Sequence, residues 1–351
     1  MGISPLVVGL TVVAFGTSAP ELVVSVQSAF SGNSDVAVGN VVGSNILNVL
    51  LILGLSAMIV PLRVEQRLVR FDVPLMIGLS VGMWLLGSDG RYGKLDGLLL
   101  FGCLVAYLVW AIVSSRKESA RIQQEYETEY GPIEKTFSWS GLIRNLIFLV
   151  LGLTFLVLGA RWFVESAVVL AKLMGLSELV IGLTIVALGT SLPEVATSVV
   201  AAVKGERDIA VGNVVGSNLF NIMAVLGISS FVAPEGIAVS SAAFWADIPV
   251  MIAVAIACLP IFFTGSVITR ANGVLFFAYY CAYTVALLLT AMGNGWSPTV
   301  NFFLLWFALP LTFLGLAAAV WWEWKILRKQ RAAAQELEQA SAVENPPTEE
   351  S

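Results

Sequence analysis

The chain has 351 residues, 58% of them hydrophobic and only 12% charged, with a net charge of −5. Soluble domains carry about 25% charged residues, so a single aqueous core cannot hide this much apolar surface. There is no histidine, which excludes a histidine metal site and a histidine proton relay.

The amino terminus leads almost directly into an apolar run, without the basic region or cleavage site of a signal peptide. Ten apolar segments follow in chain order: 5–31, 36–60, 71–87, 95–114, 141–164, 176–203, 209–232, 244–264, 271–292 and 299–323. Runs such as 142–164 and 245–263 reach the roughly 18–20 residues that cross a bilayer. Residues 115–139, rich in Glu and Arg, read as a solvated connecting loop. Residues 324–351 begin basic (Lys325, Arg328, Lys329, Arg331) and end acidic beyond Pro346 and Pro347, a disordered composition. Cys103, Cys258 and Cys281 all fall inside apolar runs, without metal-ligand spacing, and read as small lipid- or core-facing residues.

Cytoplasmic loops of membrane proteins carry an excess of Lys and Arg. With the amino terminus in the cytoplasm, 15 of the 19 Lys and Arg residues are cytoplasmic; only Arg91, Lys94, Arg161 and Lys172 fall outside. Ten spans then leave both termini cytoplasmic.

The chain repeats itself. Residues 4–61 align without a gap onto 177–234 at a constant offset of 173, with 32 of 58 positions identical. Each copy reads G-L-T-x-V-A-x-G-T-S-x-P-E, then D-x-A-V-G-N-V-V-G-S-N-x-x-N. A weaker echo follows, Asp72 and Pro74 against Asp247 and Pro249. The copies start at the first and sixth spans. Five spans is an odd number, so the second copy enters from the opposite side, and such inverted repeats place transporter sites at their interface. The expected fold is therefore an all-α polytopic membrane protein, with inverted-topology repeats of kinked transmembrane helices and about ten spans. The expected divisions are a first repeat at 1–114, a cytoplasmic connector at 115–139, a second repeat at 140–292, an added helix at 293–323 and a tail at 324–351. The second copy has a span ahead of it and the first has none; the reading is a first repeat without its leading helix, from a truncated or mis-assigned start.

The motif carries its own chemistry. Pro20 and Pro193 lack an N–H, which frees the carbonyls of Gly16 and Gly189 and kinks each helix. Irregular backbone at membrane depth persists only where it lines a cavity or is buried in protein. Glu21 and Glu194 lie one turn from these kinks, and an ionisable side chain at that depth is a functional candidate. Thr17 and Glu21 share a helix face, as do Ser44 with Asn48 and Ser217 with Asn221. Close helix packing alone accounts for Gly39, Gly43, Gly212 and Gly216. Carboxylates, hydroxyls, amide oxygens and main-chain carbonyls suit hard cations such as calcium, which takes six to eight oxygens. Two carboxylates balance one divalent or two monovalent cations. Asp96 and Glu165, near span ends, read as boundary charges.

These paired motifs resemble the two alpha-repeats of the calcium/cation antiporter superfamily, sodium/calcium exchanger branch. The resemblance implies a ten-helix exchanger core, sodium and calcium as transported ions, and alternating access. By position, Glu21 and Glu194 match the family's central carboxylates. Thr17, Ser18, Thr190 and Ser191 match its hydroxyl and carbonyl ligands. Ala14 and Ala187 match main-chain carbonyl donors for sodium. Ser44, Ser217, Asn48 and Asn221 match ligands on the neighbouring helices. Many members have Asp where this chain has Asn221. Sodium-driven calcium exchange in the cell membrane is the leading expectation and proton/calcium exchange its alternative. A cation channel and a non-transporting scaffold fit the inverted, broken helices less well. The connector is too short for a calcium-sensing domain. With no phosphate-binding Gly-Lys loop and no nucleophile–base pair, no enzymatic activity, cofactor or nucleic-acid partner is expected; the partners are calcium, sodium and the bilayer.

Overall fold

The computed structural model describes residues 5–130 and 175–293 continuously, with isolated residues within 143–173 and 295–328. The first repeat opens with α1 (Leu6–Thr17) and α2 (Ala19–Phe30), which meet at a 44° bend. Then come α3 (Ser34–Ile59), α4 (Leu68–Asp89) and α5 (Lys94–Tyr130). The second repeat opens with α6 (Leu179–Thr190) and α7 (Leu192–Val203), bent by 45°. It continues with α8 (Arg207–Val232), α9 (Ala243–Phe263) and α10 (Arg270–Ala291). Six of these helices are long and apolar enough to cross a membrane, and each bent pair adds one span, giving eight. The eight coincide with eight of the ten apolar segments. The other two, 141–164 and 299–323, the tail, and the end of the connector lie outside the continuously described residues.

One expectation is corrected. The connector does not become a loop at 115: α5 runs on to Tyr130. Residues 115–130 contain neither Gly nor Pro, so nothing stops the helix until Gly131 and Pro132 follow in the sequence. A charge run signals solvation, and a solvated helix satisfies it as well as a loop does.

The two repeats interleave. α3 packs against α6 of the other repeat, and α8 packs against α1. Glycines permit this approach: a Cβ at Gly43 would stand 2.6 Å from the Leu183 carbonyl oxygen, and one at Gly216 would stand 2.7 Å from that of Leu10. Two further crossings repeat the device. Gly54 of α3 faces Gly273 of α10, and Gly227 of α8 faces Gly97 of α5. As a result α3 and α8 are 83% and 94% buried over their apolar windows, whereas α4, α5, α9 and α10 are buried by 39% or less. The outer helices turn large apolar side chains outward, among them Leu95, Leu98 and Val109 of α5 and Trp245 of α9. In a bilayer that surface meets lipid at no cost.

Two short strand pairs join the repeats at opposite ends. β1 (Leu62–Arg63) pairs antiparallel with β4 (Val267–Ile268), and β2 (Arg91–Tyr92) with β3 (Ile237–Ala238). The positive-inside count puts the β1 and β4 loops on one side and the β2 and β3 loops on the other, in accord with this pairing.

Candidate functional site

The bends are built as the motif dictates. The chain breaks at Ser18 and Ser191, whose backbone angles leave the helical region (ψ 7° at both). Pro20 and Pro193 then occupy the first turn of α2 and α7, where a missing N–H matters least. Glu21 and Glu194 follow in that same turn, at the helix end whose partial positive charge favours an anion. A second irregularity was not foreseen. Each of α1, α3, α4, α6, α8 and α9 contains a π-helical turn: Gly9–Val13, Asn48–Leu53, Leu68–Asp72, Gly182–Val186, Asn221–Leu226 and Ala243–Asp247. Such turns cluster at functional sites because they widen the helix and re-aim its side chains. Asn48 and Asn221 each open one.

The structure brings all twelve sequence-predicted residues into the buried centre: Ala14, Thr17, Ser18, Glu21, Ser44, Asn48, Ala187, Thr190, Ser191, Glu194, Ser217 and Asn221. Their contacts cross between repeats. Ser191 donates to Glu21 Oε1 at 2.8 Å, and Ser18 donates to Glu194 Oε1 at 3.1 Å. Thr17 donates to Asn213 Oδ1 at 3.3 Å, and Thr190 to Asn40 Oδ1 at 3.0 Å. Both threonines also reach back to the main-chain carbonyls of Ala14 and Ala187. Those carbonyls accept from the Ser18 and Ser191 N–H groups as well. Ser217 donates to Glu194 Oε1 at 3.4 Å.

Four asparagines outside the predicted set hold this arrangement. Asn48 Nδ2 donates to Asn218 Oδ1 at 2.9 Å, and Asn221 Nδ2 to Asn45 Oδ1 at 3.1 Å. Their amide nitrogens are thereby occupied and their carbonyl oxygens left open. Asn40 bridges Ser25 Oγ and the main-chain oxygen of Glu21, while Asn213 donates to Ser198 Oγ. Asn45 and Asn218 also donate to the sulfurs of Met251 and Met76. The signal for the asparagines was present, since 37–45 recurs unbroken at 210–218. That for the methionines was an Asp-x-Pro-x-Met echo at 72–76 and 247–251.

Five polar atoms in this centre are buried without a hydrogen-bond partner: Glu21 Oε2, Glu194 Oε2, Ser44 Oγ, Asn48 Oδ1 and Asn221 Oδ1. All five are oxygens. Buried polar groups are normally satisfied, so these open oxygens call for an explanation, and a bound ion is one kind of partner that would supply it. Neither carboxylate has a cationic partner among the described residues; Arg67 pairs instead with Asp72, at 3.4 Å. Asp72 also accepts from Tyr107, and its counterpart Asp247 accepts from Tyr283. No group of three acidic, histidine or cysteine side chains gathers among the described residues. Asp96 accepts from the Gly93 N–H and acts as a local cap at the start of α5.

Comparison with known proteins shows the family and the fold. The family described as "Sodium/calcium exchanger protein" matches residues 1–113 and 144–289. The "Putative antiporter CaxA" of Alkalimonas amylolytica is 39% identical over 261 residues, covering 74% of this chain and 79% of that protein. The inner membrane protein YrbG of Escherichia coli is 38% identical over 255 residues, covering 73% and 77%. The sodium/calcium exchanger MaX1 of Methanosarcina acetivorans is 33% identical over 316 residues, covering 82% and 90%. Among solved structures, the sodium-calcium exchanger NCX_Mj soaked with 10 mM Na+ and no Ca2+ superposes with a TM-score of 0.64 at 30% identity, covering 80% of this chain and 86% of that one. Other crystals of NCX_Mj were soaked with calcium or strontium.

Proposed function

The chain belongs to the sodium/calcium exchanger protein family, and from that premise we propose that it exchanges sodium for calcium by alternating access. It is an integral membrane cation antiporter of that family and not an enzyme. The observation that carries the reading is the set of five open, buried oxygens contributed by both repeats. In this reading Glu21 and Glu194 bind calcium directly. Ser44, Ser217, Asn48 and Asn221 complete the shell from α3 and α8. Thr17, Ser18, Thr190 and Ser191, with the carbonyls of Ala14 and Ala187, serve the competing sodium ions. Hydroxyl, amide and carboxylate oxygens at flexible spacing suit calcium.

Exchange follows from charge. An empty site leaves two carboxylates buried without a counter-charge, which costs several kcal/mol per ion. The crossing step is favoured when cations fill the site, so one load returns only when another replaces it. The Lys and Arg distribution supports both termini in the cytoplasm, and the inner-membrane location of the relative YrbG supports the cell membrane.

Calcium uptake into sodium-loaded vesicles tests this, against sodium-free vesicles holding a pH gradient. Uptake should require internal sodium. Uptake driven by the pH gradient alone would make the chain a proton/calcium exchanger, and uptake under neither condition would end the transport reading.

A further inference from the structure

We propose that Met76 of α4 and Met251 of α9 are positioning residues for the cation centre, orienting the amides of Asn48 and Asn221 through Asn218 and Asn45. Their role rests on the exchanger reading and deepens it, bringing into the same site two outer helices that supply none of its ligands. A carboxamide has an oxygen end and a nitrogen end of nearly equal shape, and only the oxygen end can face a cation. The surroundings must therefore choose the end at each of these four buried asparagines.

At Asn218 the choice is made by neighbours that accept and cannot donate. Its Nδ2 lies 3.4 Å from the main-chain oxygen of Asn45 and 3.4 Å from the sulfur of Met76. At Asn45 the counterparts are the main-chain oxygen of Asn218 and the sulfur of Met251, both at 3.5 Å. A carbonyl oxygen and a thioether have lone pairs and no proton to give, so the nitrogen ends of Asn218 and Asn45 turn to them. Each Oδ1 is left facing the other repeat, where it accepts from Asn48 Nδ2 at 2.9 Å or Asn221 Nδ2 at 3.1 Å. Asn48 and Asn221 then have their oxygens to offer the centre, and both oxygens are buried without a hydrogen-bond partner. The direction of each ligand dipole is set two side chains away from the ion.

The methionines are placed for this. α4 and α9 present much of their surface outward, yet Met76 and Met251 are buried. Each stands four residues after the aspartate that ends a π-helical turn, Asp72 or Asp247, on the same face of its helix. Those aspartates accept from Tyr107 of α5 and Tyr283 of α10. Leucine would fill nearly the same volume as methionine. It offers no lone pair, and it would leave an amide N–H of Asn218 or Asn45 buried and unmet.

The test compares Met76→Leu and Met251→Leu with Met83→Leu in the full chain. Met83 is as deeply buried on α4, and its sulfur takes no hydrogen bond among the described residues. Calcium binding to the detergent-solubilised protein is read by titration calorimetry, and sodium-driven calcium uptake by tracer flux in proteoliposomes. Met76→Leu and Met251→Leu should each weaken calcium binding roughly 2- to 10-fold and raise the calcium concentration for half-maximal uptake by the same factor. Maximal rate and thermal unfolding temperature should match those of Met83→Leu. In an Asn218→Ala background Met76→Leu should weaken binding no further, and likewise Met251→Leu in an Asn45→Ala background. Either of these two cycles decides by itself. Calcium affinity equal to that of Met83→Leu overturns the inference and leaves the exchanger reading intact, as does a fully additive loss in a double variant. A wild-type protein that binds and carries calcium without needing sodium overturns sodium exchange, while the methionine comparison still decides the inference. A wild-type protein that binds no calcium overturns both.

Discussion

Ser18 and Ser191 each sit where a helix breaks, yet each hydroxyl serves the other repeat's glutamate. Both serines are assigned to the sodium ions, and a hydrogen bond to a charged group is worth about 1.5–3 kcal/mol, so Ser18→Ala and Ser191→Ala should each raise the sodium concentration that half-drives calcium uptake, and by similar factors. Sodium titration of calcium flux reads this directly; a change confined to one member of the pair would contradict the mirrored geometry. Glu21→Gln and Glu194→Gln remove the charges themselves and should each abolish exchange at any practical calcium concentration. The glutamates, hydroxyls and Asn48 and Asn221 were legible in the sequence because the repeat displays each of them twice. Asn45 and Asn218 stood in the same repeated string but gave no reason to be separated from their neighbours. Their role is to fix which end of another amide faces the centre, and only the contacts reveal that.

Helix crossings explain the glycines. A methyl group at Gly43 would collide with the Leu183 carbonyl, whereas Gly78 of α4 has nothing within 4 Å of where its Cβ would stand. Overpacking costs about 1–3 kcal/mol. Gly43→Ala and Gly216→Ala should therefore lower the thermal unfolding temperature of the detergent-solubilised protein by similar amounts, and Gly78→Ala should not. The bends were predictable from Gly-Thr-Ser-x-Pro, because proline removes a donor whose loss has one geometric outcome. The π-helical turns were not. A shift from an i+4 to an i+5 bond needs no marker residue, and Val-Leu-Leu-Ile-Leu after Asn48 is equally at home in either. The Asp72 and Asp247 echo was faint for a different reason. The loop between Pro234 and Asp247 is two residues longer than that between Pro61 and Asp72, so the offset moves from 173 to 175 and the match falls out of register.

At the scale of the molecule, strand pairing fixes which loops share a side. With Cys103, Cys258 and Cys281 replaced, single cysteines at Gln66 and Ser266 should react with an impermeant thiol reagent from one face only. Cysteines at Ser88 and Glu235 should react only from the other, the first pair being cytoplasmic. A split within either pair would break the topology. The inverted count of spans already implied two halves facing opposite ways, but not that they interlock. Each half lends the other the hydroxyl that holds its carboxylate, and each second helix lies in the cleft of its counterpart's first. Neither half is a smaller transporter. A gene encoding one repeat alone would yield a working centre only if its product met a copy of itself inserted upside down in the same bilayer, and fusing two such genes would make that chance meeting permanent.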